Sequence, residues 1–176
     1  MRSLVASGTD ELEEVLAMQE RATSLDIATY GEIHNRVAEG LRVVGGTLHS
    51  LGRFDAAIVA LSRAAEICRI LGEYTAGFED ILFKLKESLL GQDPSANVID
   101  VARERVVVCE GLGDSMRLCY AHLELGRLLV ERGNNDEALI HLERARKIAE
   151  PRISQGRAWR LAEDLEHWFS RARAEE

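Results

Sequence analysis

Apolar residues recur along nearly the whole chain at spacings of three and four, the period of a helix, and the strict alternation of a strand is almost absent. Leu12, Val15, Leu16 and Gln19, with Ala22 and Leu25 beyond, predict a first helix. Thr9 or Asp10 can cap it, and Glu11, Glu13 and Glu14 suit its positive end. Asp26 offers a cap for a second helix reaching about Leu51, with Ile33, Val37, Leu41, Val44 and Leu48 on one face. A turn at Gly52-Arg53 leads into a third, which turns Ala57, Ile58, Leu61, Ala64, Ala65 and Cys68 inward and ends at Leu71-Gly72. A fourth is expected from about Glu73 to Leu90. At Gly91-Gln92-Asp93-Pro94 the glycine should stop that helix, Asp93 cap the next and Pro94 take its first position. The fifth runs to Leu112, before a Leu112-Gly113-Asp114 junction, and the sixth to about Gly133. The seventh covers about Asn135 to Glu150, where Pro151 should forbid continuation, and the eighth about Ser154 to Ala172. The pattern is all-α, with links short enough to make successive helices antiparallel.

A second regularity overlies the first. The run from Leu51 to Ala64 (LGRFDAAIVALSRA) returns 81 positions later as Arg132 to Ala145 (RGNNDEALIHLERA). Leu71-Gly72-Glu73 likewise answers Leu112-Gly113-Asp114, and Cys68 falls on Cys109. The offsets of 40 to 41 divide a single helical repeat domain, 1–176, into a flanking helix (1–25), a first repeat (26–72), a degenerate second (73–113), a third (114–150) and a capping helix (151–176). Small residues should mark the contacts: Gly45 or Gly126 where the helices of a hairpin touch, Ala57 or Ala138 where the second helix presses on the first.

These positions resemble the tetratricopeptide repeat family. Its motif falls on Leu41, Val44, Gly45, Leu48, Gly52, Phe54, Ala57, Leu61 and Ala64, and again on His122, Leu125, Gly126, Leu129, Gly133, Asn135, Ala138, Leu142 and Ala145. The middle copy departs, with Lys84 at the packing glycine and about two extra residues in the turn 92–97. The spacing departs as well, because the family's usual period is about 34 residues; the surplus adds about 10 Å of helix per repeat. Long-helix variants with Leu-Gly-Asp junctions look like the arrays in bacterial transcriptional activators and some cyclic-nucleotide signalling enzymes. The resemblance implies a right-handed superhelix of antiparallel hairpins, an α-solenoid, whose first helices line a concave groove.

Carried over position by position, that groove would present Glu39, Arg42, Gly46, His49 and Ser50 from the first repeat. The third would supply Tyr120, Leu123, Arg127, Val130 and Glu131, and the second Phe78, Ile81, Leu85, Ser88 and Leu89. The Phe78, Ile81 and Leu85 face serves equally well as packing against the chain's own helices. Only Arg42 is basic among the first-repeat positions, and Gly46 stands where an asparagine would be, so a clamp for a C-terminal carboxylate is not supported. On the eighth helix Ala158, Leu161, Ala162, Leu165, Trp168, Phe169 and Ala172 form one stripe, that of a capping helix. Trp159 lies off it, available to a dimer or an adjoining domain, or to the loop after Pro151.

Charge narrows the partners. A net charge of −8 disfavours direct binding to nucleic acid or to an anionic membrane. No run of about 18 apolar residues spans a bilayer, and a signal-peptide pattern is missing from 1–14, which leads to the expectation of a cytoplasmic protein. Cys68, Cys109 and Cys119, an odd number without CxxC spacing, read as packing residues rather than disulfide or metal ligands. The histidines form no HExxH; Glu137 with His141 and Glu163 with His167 read as exposed helix pairs. No acid, base and nucleophile converge, and no cofactor motif occurs. The expected function is therefore a non-enzymatic protein–protein interaction scaffold or adaptor holding a peptide, helix or protein surface in its groove. The alternative is a sensory or regulatory domain of a larger signalling protein, such as a transcriptional activator or diguanylate cyclase, that binds a ligand or homodimerises and acts on an attached output domain. The charged, helix-prone stretch from Glu166 to Glu176 suits a linker into such a domain.

Overall fold

A computed structural model describes the backbone of residues 2–174 and the side chains of residues 9–174. Glu175 and Glu176, the end of the charged stretch read as a linker, lie outside the described residues. Within them there are eight helices and no strands: α1 (Arg2–Tyr30), α2 (Asn35–Ser50), α3 (Phe54–Leu71), α4 (Ala76–Gln92), α5 (Ile99–Leu112), α6 (Ser115–Glu131), α7 (Asn135–Ile153) and α8 (Trp159–Ala174). They fall into two compact units, Met1–Ala96 and Asn97–Glu176.

Each unit has the same internal plan. In the first, α2 and α3 form a hairpin, α1 packs on α2, and α4 packs on α3 and α2. In the second, α6 and α7 form the hairpin, α5 packs on α6, and α8 packs on α7 and α6. The echo at 81 positions is therefore one of four-helix units, each centred on a hairpin. The residues read as a middle repeat are shared out, α4 to the first unit and α5 to the second.

The hairpins are built alike in detail. A Cβ on Gly45 would lie 2.5 Å from Leu61 Cγ, and one on Gly126 would lie 2.8 Å from Leu142 Cγ. The glycines, Leu61, Leu142, Ala57, Ala138, Ala64 and Ala145 are all buried. Each turn is closed by a left-handed glycine, Gly52 at φ 71° and Gly133 at φ 73°. Gly52 N–H donates to His49 O and Arg53 N–H to Leu48 O; Gly133 N–H donates to Val130 O and Asn134 N–H to Leu129 O. This paired closure takes up carbonyls that a helix end otherwise leaves without partners. Gly72 and Gly156 close α3 and α7 with the same two bonds. The cysteines are buried, as expected of packing residues; burial raises the Cys68 and Cys119 thiols to about 11, and Cys119 Sγ–H points to Ala145 O.

Several helix ends differ from expectation. Thr9 and Asp10 lie inside α1 and Asp26 caps nothing, because the helix continues to Tyr30 and stops at Gly31, whose φ is 81°. The cap of α2 is His34, whose Nδ1 accepts from Arg36 N–H at 3.2 Å. Gly91 does not stop α4: it stays helical to Gln92, and Gly91 is small because the Phe54 ring lies against it. Asp93 and Pro94 do not open α5. The Asp93 carboxylate accepts from Ser95 N–H and Oγ–H, and Ala96 N–H closes back on Asp93 O, so proline takes the second position of a turn. Pro151 lies within α7 instead of ending it. Pro151 has no N–H to give to the carbonyl of Lys147, one turn earlier, so the helix runs on without that one bond, and the true stop is Gly156, at φ 70°.

Replacing Gly133 with alanine should lower stability by about 1 kcal/mol, since only glycine holds a left-handed φ without cost. Urea denaturation followed by circular dichroism checks this, and an unchanged midpoint would contradict it.

Candidate functional site

The α2 residues expected to line a groove are engaged within their own unit. Arg42 donates Nε and Nη2 to the two Glu39 oxygens at 2.8 and 2.6 Å, and Nη1 to Asp80 on α4 at 2.5 Å. Hydrogen bonding to Arg42 holds Glu39 below the usual carboxylate range, and Glu39 with Asp80 raises the Arg42 guanidinium. His49 Nδ1 lies 3.0 Å from Ser88 Oγ. Ser88 Oγ in turn lies 2.8 Å from Lys84 O, one turn earlier on α4. Gly46 makes room for the Lys84 stem. Arg42 and His49 thus tie α2 to α4.

Phe78, Ile81 and Leu85 are buried. Phe78 and Ile81 reach only the wall of a cavity of about 350 Å³, rimmed by Asn35, Arg36, Glu39, Glu73 and Thr75. Ser88 is buried too, and Leu89 half-buried.

On α6, Leu123 and Arg127 are half-buried, Val130 buried and Glu131 exposed, with Arg127 Nε 4.0 Å from Glu131. Tyr120 differs, being 50% exposed. Together with Met116, Arg152, Arg157, Ala158, Trp159, Arg160 and Leu161 it lines a cavity of about 210 Å³. Trp159 is 58% exposed. The structure therefore brings together two residues that the sequence suggested for separate reasons.

The local chain explains the arrangement. The closure at Gly156 binds Arg157 N–H to Arg152 O at 3.0 Å, which turns the backbone sharply after α7. Ala158 O accepts the first helical bond of α8, from Ala162 N–H. Ala158 has no side-chain oxygen to cap the helix, and the first turn of α8 carries no acid. Arg160 lies over the Trp159 ring at 5.0 Å. Among the described residues, neither Arg152 nor Arg157 forms a side-chain hydrogen bond or ion pair.

The two cavities occupy equivalent places in their units. Moved by 81 positions, Asn35 falls on Met116, Glu39 on Tyr120, Gly77 on Ala158 and Phe78 on Trp159. Their chemistry has diverged. The first has a buried phenylalanine, a Thr75 cap donated to by Phe78 N–H, Glu79 in the first turn of α4, and a Glu39 already paired. The second has exposed aromatics and three arginines.

A histidine pair was missed in the sequence. His122 is buried, and its Nδ1 lies 2.9 Å from Nδ1 of His141 on α7. His141 is not the exposed partner of Glu137 that its spacing suggested: it is half-buried, and its Nε2 lies 3.9 Å from a Glu137 carboxylate engaged by Arg103. The corresponding positions in the first unit are Leu41 and Ala60, packing positions, and that correspondence was the available signal. Burial pushes His122 down to about 4 and also lowers His141. Among the described residues no cluster of three or more His, Cys, Asp or Glu is placed to hold a metal ion, and no helix is long and apolar enough to cross a membrane. No protein-family model matches this chain, and no curated protein matches it.

Because the folded state resists protonating His122, the unfolded chain binds more protons between about pH 6.5 and about pH 4, and stability should fall as pH falls through that window. Thermal melts across it should show a declining midpoint, and His122→Leu should flatten the decline. An equal slope in that variant would contradict the assignment.

Proposed function

We propose that this protein is a non-enzymatic interaction module, a scaffold or adaptor built from tetratricopeptide-like hairpins that holds a partner protein. The observation that carries this reading is the pair of exposed aromatics, Tyr120 and Trp159, on one cavity. Large aromatic side chains beside arginines are the composition of interface anchors, and truncating such anchors costs more binding than truncating their neighbours. The repeated hairpin supports the family resemblance through its Gly–Leu contact and glycine closure. On this reading the partner surface lies at α6 and the start of α8, and the Glu39–Arg42–Asp80 cluster braces the first unit.

The test is affinity capture with Tyr120→Ala and Trp159→Ala proteins beside the unaltered chain, with partners quantified by mass spectrometry. A specific set of partners should drop at least about tenfold in both variants, while circular dichroism stays unchanged. Equal recovery would overturn this reading of the site.

A further inference from the structure

The cavity at the start of α8 has a charge at odds with the rest of the chain. Residues 151–162 contain Arg152, Arg157 and Arg160 and no acid, in a protein of net charge −8. All three arginines are exposed and all three line the cavity. Arg160 also sits in the first turn of α8, where the helix dipole disfavours a cation, and Ala158 offers the free N–H groups of that turn no oxygen. Three guanidinium groups and an uncapped helix end all raise the local positive potential, and nothing among the cavity's lining residues offsets it. The equivalent cavity of the first unit has no such excess of cations, carrying Glu39 and Glu73 beside Arg36 on its rim. Two units sharing one plan therefore differ at this place by a gain of positive charge together with the exposure of aromatic surface.

Size selects among anions. At about 210 Å³ the cavity is smaller than the roughly 300–1,000 Å³ of sites that enclose a whole small molecule. It suits one or two side chains of a larger partner. Arginine forks match carboxylates in two-point geometry, and the Trp159 and Tyr120 faces can cover the partner's adjoining backbone and methylenes.

We infer that this cavity binds an acidic peptide segment, a Glu- or Asp-rich stretch of the partner protein, with Arg152, Arg157 and Arg160 receiving its carboxylates and Trp159 and Tyr120 its apolar surface. The inference rests on the interaction reading above and gives its partner a chemistry.

Trp168→Phe leaves Trp159 as the sole tryptophan, so its fluorescence reports on the site. Titration with hexaglutamate should give a saturable change that weakens at least about fivefold between about 50 and about 300 mM salt. Arg152→Gln with Arg157→Gln should weaken binding at least about tenfold while leaving the fold intact, since both side chains are exposed. Calorimetric titration of Trp159→Ala gives an independent reading and should also show loss. Hexalysine should produce no change. Absence of saturable hexaglutamate binding, full affinity in the arginine variant, or equal binding of hexalysine would overturn the inference. So would inorganic phosphate competing at concentrations similar to the peptide's, which would mark a small-anion site. If hexaglutamate fails while the Tyr120→Ala and Trp159→Ala proteins still lose their captured partners, the acidic partner falls and the interaction reading stands.

Discussion

Each unit depends on a leucine seated directly on a glycine. Leu61 fills the space over Gly45, and Leu142 the space over Gly126, at separations no Cβ could share. A mid-helix glycine costs about 1 kcal/mol against alanine. That cost is offset because the two helices come close enough to bury the leucine and the neighbouring alanines fully. With the approach fixed at one point and the turn fixed by Gly52 or Gly133, the hairpin has little freedom left, and the remaining two helices of each unit pack on a preset surface.

That constraint also positions the site. α6, held against α7 by Gly126 and Leu142, carries Met116 and Tyr120 near its start. α7 ends in the Gly156 closure, which returns the chain toward that same region and starts α8 with Trp159 and Arg160. The cavity is thus made by the hairpin and the helix that follows it. Its counterpart in the first unit arises from the same geometry, which is why the two can be compared residue by residue. The backbone supplies a concavity twice, and the side chains decide what each could hold.

The helices and the hairpin contacts were legible in the sequence because they depend on local period and on small residues at fixed spacing. Gly45, Gly126, Ala57 and Ala138 all act as their positions suggested. Helix ends were less legible where two signals competed. Asp26 and Pro94 carry cap and start chemistry, yet Gly31 and the Asp93–Ser95 turn prevailed, since a left-handed glycine and a completed turn satisfy backbone groups that a cap alone would leave open. Pro151 misled because a proline removes one bond to the preceding turn without forbidding the helix, and the left-handed Gly156 sets the end instead. The site was half legible. Trp159 and Tyr120 stood out singly, but their meeting depends on the Gly156 closure. Arg42 looked free for a partner because sequence spacing cannot show that Asp80 lies beside it. The His122–His141 contact was hidden because each histidine had a reasonable role of its own.

The most direct test of this account is a paired substitution at the hairpin contact. Gly126→Ala should destabilise the protein despite alanine's helix preference, because Leu142 has nowhere to move. In a Leu142→Ala background the same Gly126→Ala change should reverse sign and stabilise by up to about 1 kcal/mol, with the clash removed and the propensity gain retained. Chemical denaturation of the four proteins in this cycle measures it. An equal effect of Gly126→Ala in both backgrounds would show that the glycine is not there for the leucine, and would contradict the claim that this contact sets the hairpin.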